Sequence, residues 1–358
     1  MIIYIIVAVL SVLLLHFSKI TNNRNLKKVL IVIPFIIMFL VSAFRYFVGT
    51  DFNNYASWFY EINTLKDIHL SSIGFDILIL VLKIFTSNNQ WLFIITSYII
   101  LALVYKATLN YKDDYDLIIY LFITLIFYFS SFNGIRQWMA IAILMNSLKY
   151  IREKKILIYL VYVLVASLFH ITALNTIILY FVLNFKCKKQ LKIVILIVSI
   201  IIFKVINITE ILLFITKYIL PSYYNKYTIT GYDVYAIKGG ILPILLCGGM
   251  LAFYWVFEKK LLLKNEIKQK DLQFRINLAW ILTIMAVINT VNELFCRIAL
   301  YYIPFVIFLI PDTLKVFDNK SKKVFTILMI ILLLLFMMTN LYFRNPHNAL
   351  PYSFYFFR

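Results

Sequence analysis

Val324–Tyr342, VFTILMIILLLLFMMTNLY, runs through nineteen residues without a charge. The hydrocarbon core of a bilayer takes about 20 apolar helical residues at 1.5 Å each, so this run reads as a membrane-spanning helix. Comparable runs lie near 2–18, 28–44, 91–109, 117–132, 134–150, 156–169, 171–184, 192–206, 239–257, 275–291 and 297–314. Hydrophobic residues make up 63% of the 358 and charged residues 14%, against about 25% charged in a soluble domain. No polar stretch exceeds about thirty residues, too few for a separate soluble domain. The expected fold is all-α: one polytopic transmembrane helical bundle over residues 1–358 with about 12 crossings. Ile2–Phe17 lacks a basic leader and a small-residue cleavage site, so we read it as a retained helix.

Orientation follows from the basic loops. Lys19, Arg24, Lys27 and Lys28 form one cluster, and Lys149, Arg152, Lys154 and Lys155 a second. Lys186, Lys188, Lys189 and Lys192 form a third; Lys259, Lys260, Lys264, Lys268, Lys270 and Arg275 a fourth; Lys315, Lys320, Lys322 and Lys323 a fifth. Positive-inside placement makes all five cytoplasmic and both termini external. It also accounts for the net charge of +19 without a nucleic-acid partner. The polar loops 45–72 and 221–238, and the tail after Arg344, then face outward. Ile73–Phe85 is short and contains Asp76 and Lys83. Were it to cross, the Arg152 cluster would face outward, so it reads as a re-entrant or juxtamembrane helix. Residues 156–185 lie between two cytoplasmic clusters, which implies two short helices meeting near His170, their turn buried among other helices. Lys83 and Lys204 have no explanation in this scheme.

Charges in or beside membrane segments are costly and mark candidate sites. On the outer side these are Arg45, Asp51, Arg136, His170, Glu293 and Arg297. Arg45-Tyr-Phe-Val-Gly-Thr-Asp51 ends the second helix. Gly49 suits a tight turn there, and Thr50 or Asp51 could cap an outer helix containing Asn54, Tyr55 and Trp58. Arg45 and Asp51 read either as a snorkelling cation and a cap, or as parts of a substrate mouth. In Phe132-Asn-Gly-Ile-Arg-Gln-Trp138, Asn133 can cap a helix whose first turn holds Arg136 and Gln137; such a turn suits an anion, or else Arg136 is an interfacial anchor. His170 is the one histidine expected at membrane depth. It reads as a packing residue, or as a general base or hydrogen-bond donor. His16, His69 and His347 lack such a setting. Glu293 and Arg297, four apart, read as a structural ion pair or as substrate contacts.

Cys187, Cys247 and Cys296 are widely spaced and have no histidines nearby, so neither a zinc site nor a disulfide framework is expected. No Walker loop, dinucleotide fingerprint or metal-ligand cluster occurs, and no cofactor is expected.

Three motifs in order, Arg45-x-x-Val-Gly-Thr-Asp51-x-x-x-Tyr55, Asn133-x-x-Arg136-Gln137 and Ala166-Ser-x-x-Phe169-His170-x-x-Ala173, with Arg297 and Pro351-Tyr352, resemble the EpsG family of Wzy-like exopolysaccharide polymerases. The resemblance spans nearly the whole chain; residues 207–238 have no place in it. It implies a glycosyltransferase in a bacterial cytoplasmic membrane, similar to GT-C enzymes, joining undecaprenyl-diphosphate-linked oligosaccharides at the outer face. It also implies a chain-length regulator and a flippase of the same pathway as partners. In this picture Arg136 and Arg297, with Arg45, hold the diphosphate, and Asp51 or His170 is the base. Asp51 is favoured, since an outer-loop carboxylate resembles the GT-C arrangement. Tyr55, Asn133, Gln137 and Glu293 would contact substrate. Two rivals are a flippase, expected to have two related halves and charges at several depths, and a membrane acyltransferase, expected to pair histidine with a carboxylate.

Overall fold

A backbone N–H or C=O in lipid has no water to bond, so a chain this apolar must satisfy its polar groups internally. The computed structural model does so with helices. It describes residues 1–203, 214, 217–218, 239–263 and 267–356, plus the backbone of 204–205 and 357. The outer loop 221–238 and the side chain of Lys204 lie outside the described residues.

In chain order the helices are α1 (Ile2–Ile20), α2 (Arg24–Ala43), α3 (Phe52–Glu61), α4 (Ile73–Phe85), α5 (Gln90–Leu109), α6 (Tyr115–Thr124), α7 (Phe127–Ser130), α8 (Ile135–Met145), α9 (Leu148–Arg152) and α10 (Ile156–Phe169). There follow α11 (Ile177–Asn184), α12 (Lys189–Val205), α13 (Leu242–Leu263), α14 (Gln269–Ile288), α15 (Glu293–Ala299) and α16 (Asn319–Phe343). The chain divides into two units, 1–174 with 317–358, and 175–316.

Seven helical stretches among the described residues are long and apolar enough to cross a membrane: α1, α2, α5, α13, α14, Glu293–Val316 and α16. The expected dozen crossings therefore become seven full-length candidates and several shorter helices. Residues 117–132 are split between α6 and α7 at Ile126, which takes a left-handed φ of 71°, unfavourable for a β-branched residue. The run 297–314 continues α15 as 3₁₀ turns, Ile303–Phe308 and Ile310–Val316, because Pro304 and Pro311 each remove a backbone donor. At 13 residues α4 falls short of the bilayer core. The chain bends at His170, where α10 ends in extended backbone and a 3₁₀ turn, Ile171–Thr176, leads into α11.

Burial sorts the helices by role. Only 11% of the most apolar window of α16 is buried within the protein, so its apolar surface requires lipid. In the first unit every residue of α6 is buried, and all of α8 but Arg136. Tyrosine hydroxyls tie this interior together: Tyr128 donates to the Met38 carbonyl and Tyr120 to the Ile330 carbonyl, both at 2.7 Å. At the α1–α6 end, Asp116 pairs with Lys19 (2.6 Å) and His16 (3.0 Å), a partner for His16 that the sequence did not reveal. Lys83 is also explained. Its ammonium caps the C-terminal end of α3 through the Ile62 carbonyl (2.6 Å) and Asn63 Oδ1 (2.7 Å).

In the second unit Asn277 on α14, 1% exposed, donates to the Leu183 and Phe185 carbonyls and accepts from Lys192. Lys192, expected in a basic loop, is thus buried. Asp312 is likewise buried between Arg275, Lys315 and Tyr254. Asn277→Leu strands two carbonyls and an ammonium at once. Thermal unfolding in detergent is expected to show a loss of about 2 kcal/mol or more; an unchanged midpoint would contradict the structure.

Candidate functional site

The site is built where the C-terminal end of α2 meets the N-terminal end of α8, both in the first unit. After Ala43 the chain leaves helical geometry and meets its own distal tail. Tyr46 N–H donates to the Ser353 carbonyl (3.0 Å), Gly49 N–H to the Asn348 carbonyl (3.1 Å) and Tyr355 N–H to the Phe44 carbonyl (2.8 Å). Gly49 has φ +111°, and a Cβ there would stand 2.8 Å from Asn133 Oδ1 and 3.3 Å from the Phe132 carbonyl. The glycine serves both the turn and the approach of the second motif.

That approach locks the two motifs. Asp51 N–H donates to Asn133 Oδ1 (3.2 Å), and Gly134 N–H donates to Asp51 Oδ2 (3.0 Å). Asp51 stands at the start of α3 but makes no side-chain bond to it; its carboxylate serves the N-terminal end of α8, where the helix dipole favours negative charge. Asn133, expected as the cap of α8, instead donates to the His347 carbonyl (3.2 Å), and Gly134 takes the cap position. The N–H of Arg136 bonds the Tyr55 hydroxyl. The expected nest of free N–H groups for an anion is therefore partly filled by Asp51 and Tyr55, which leaves the guanidinium.

Arg136 places its guanidinium carbon over the Trp58 ring, 4.0 Å from the ring centroid. It also bonds the Tyr55 side chain, whose phenol is raised by burial against the lowering effect of Arg136. The Arg136 Nε–H is buried and has no hydrogen-bond partner. No carboxylate among the described residues pairs with this cation. A half-buried, aromatic-backed guanidinium with an unpaired donor has the chemistry to hold an anion.

The remaining candidates have other partners. Arg45 is 1% exposed, held between the Phe93 and Phe132 rings and donating to the Ser42 and Phe132 carbonyls. It acts as an internal strut, unable to reach a diphosphate without leaving those partners. Gln137 is buried on α8. His170 Nδ1 shares a 2.7 Å hydrogen bond with Thr172 Oγ1. Glu293 and Arg297 belong to the second unit, paired at 2.5 Å across one turn of α15. Among the described residues no group of three or more His, Cys, Asp or Glu could hold a metal ion.

Sequence reasoning missed two histidines here. His347 sits half-buried in the left-handed region, φ 67°, near enough to Asp51 to feel its charge. His69 pairs with Asp76, which also accepts from Trp58 Nε1 (3.1 Å). Asp76 itself was the available signal, since a carboxylate opening an apolar helix demands donors.

The described residues form an all-helical membrane protein, and Arg136 stands where two helix ends meet, its Nε–H unpaired. The chain belongs to the EpsG family, whose model matches residues 28–354; this membership is consistent with a polysaccharide polymerase. No curated protein and no solved structure matches it.

Two outcomes are expected. Gly49→Ala forces a Cβ against Asn133 and disfavours φ +111°, so folded yield and thermal midpoint should fall markedly; wild-type values would show that the two motifs do not lock. Burial pushes the His347 imidazole down to about 4, against the opposing pull of Asp51. Between about 6.5 and about 4 the unfolded chain then binds the proton that the folded one refuses, so stability falls as pH drops through that window. His347→Asn tolerates the left-handed backbone and should lack this part of the pH dependence of the unfolding temperature; parallel profiles would refute it.

Proposed function

We propose that this protein joins undecaprenyl-diphosphate-linked oligosaccharide repeat units into polysaccharide at the outer face of the bacterial cytoplasmic membrane. The observation that carries the reading is Arg136: half-buried, 4.0 Å from the Trp58 ring centroid, its Nε–H idle and no carboxylate among the described residues paired with it. A diphosphate leaving group needs such a receptor, because negative charge develops on it as the glycosidic bond to phosphate breaks. Tyr55 and Trp58 hold the guanidinium in place; Asp51 and Asn133 hold the start of α8 that presents it.

The outward orientation rests on charge placement. Arg45 and Asp51 follow α2 at the end opposite Arg24, Lys27 and Lys28, about 30 Å away for 20 residues of helix. Gly134 and Arg136 begin α8, and the Lys149–Lys155 cluster follows its far end. Two helices thus set the site opposite a basic loop, and the positive-inside rule puts those loops in the cytoplasm. The chain-length regulator and flippase expected of such a pathway are the natural partners.

Deleting the gene should leave single lipid-linked repeat units on the outer leaflet. Arg136→Ala at normal protein level should lower polymer about 100-fold or more, and Arg136→Lys should retain part of it. Normal polymer from Arg136→Ala would overturn the diphosphate assignment. Units trapped on the inner leaflet would instead identify a flippase.

A further inference from the structure

His69 and Asp76 lie outside the motifs that led to Arg136, yet they share its support. Asp76 opens α4 and is fully buried. Its Oδ1 accepts from Trp58 Nε1 at 3.1 Å; its Oδ2 accepts from the His69 backbone N–H at 2.8 Å and from Ser72 Oγ at 3.4 Å, and lies 3.0 Å from His69 Nδ1. No lysine or arginine among the described residues pairs with it. A buried carboxylate held by neutral donors and one imidazole orders that imidazole, because only an Nδ1–H can donate to it. The Nε2 lone pair is then the outward one. The His69 side chain is 54% exposed, and Nε2 has no hydrogen bond among the described residues.

The imidazole meets the Trp58 indole edge-on, ring centroids 5.3 Å apart at 71°, and that same indole carries the Arg136 guanidinium. One aromatic side chain thus supports an anion receptor and an oriented imidazole. The loop does not need the imidazole for its own closure, since the His69 backbone N–H already reaches Asp76.

We propose that His69, oriented by Asp76, is the general base that activates the acceptor hydroxyl; the inference rests on the polymerase reading above. The acceptor O–H gives its proton to His69 Nε2 as its oxygen bonds to the anomeric carbon of the donor. The bond from that carbon to the diphosphate oxygen breaks, and its electron pair leaves with the lipid diphosphate onto Arg136. The imidazolium, facing the Asp76 carboxylate, returns the proton to water. Asp51 stays at its structural post on Gly134 N–H, and Asp76 is a positioning residue.

The test uses full-length protein in proteoliposomes, supplied with lipid-linked repeat units extracted from cells lacking the gene. His69→Ala, at wild-type protein level, should lower kcat about 100-fold or more while KM stays within about twofold, and added imidazole should restore part of the rate. A kcat close to wild type overturns the proposal. So does a loss that imidazole leaves untouched, because His69 would then only brace Trp58. Asp76→Asn should lower kcat in the same direction, and full activity in that variant would remove the orienting role. Wild-type protein that extends no units overturns the polymerase reading and the base with it. Wild-type protein that polymerises beside a fully active His69→Ala overturns the base alone.

Discussion

Asp51 and the Asn133-Gly134 pair hold each other reciprocally, one backbone N–H given in each direction. Everything in the candidate site hangs from this exchange. It places the C-terminal end of α2 beside the N-terminal end of α8, sets Tyr55 under the first turn of α8 and brings Trp58 beneath Arg136. Gly49 makes the approach sterically possible. The tail closes it from the other side through the Asn348 and His347 carbonyls. A carboxylate at a helix start is favourable through the dipole alone; here it also spends the N–H groups that an anion would otherwise take. In the proposed function, recognition therefore falls to a side chain, which can be positioned more freely than a backbone nest.

The first unit manages charge in two ways. Asp76 and Asp116 are buried and fully engaged, and Arg45 is buried with only its Nε–H unpaired, each drawing distant segments together through carbonyls, indole N–H groups or ammonium groups. Arg136 and His69 are incompletely engaged, and both touch Trp58. Buried polar groups without full complements of partners are expensive. At the Trp58 indole the Arg136 Nε–H is such a group, whereas the His69 side chain beside it is 54% exposed. The second unit keeps Asp312 and Lys192 satisfied in its interior, as structural charges should be.

The membrane class and helix positions were legible because apolar run length and basic-loop spacing are local properties. So were the short helix at 73–85 and the bend at His170, each betrayed by short length together with the flanking basic loops. The number of full-length spans among the described residues was not: Ile126 breaks the run 117–132 into two short helices, and hydropathy ignores backbone geometry. Among site residues, Asp51, Asn133, Tyr55 and Arg136 were found by motif, and the structure gathers them. Their roles were harder to read, because hydrogen-bond direction is a tertiary property. Asp51 looked like a cap for the helix it precedes and serves another, eighty residues away in sequence. Arg45 looked like a mouth residue because its polarity is visible and its aromatic clamp is not. His69 and His347 were passed over because their partners, Asp76 and Asp51, become neighbours only on folding.

The tail that follows α16 has an implication for biogenesis. Residues 345–355 supply the carbonyls and N–H groups that fix the turn at 45–49, yet ribosomes make them some three hundred residues later. These early and late parts of the chain must meet before the turn at 45–49 is fixed, so helices already inserted wait in an incomplete arrangement. A nascent chain stalled before its last helix would carry Arg136 and His69 and still lack the tail contacts that fix the turn at 45–49.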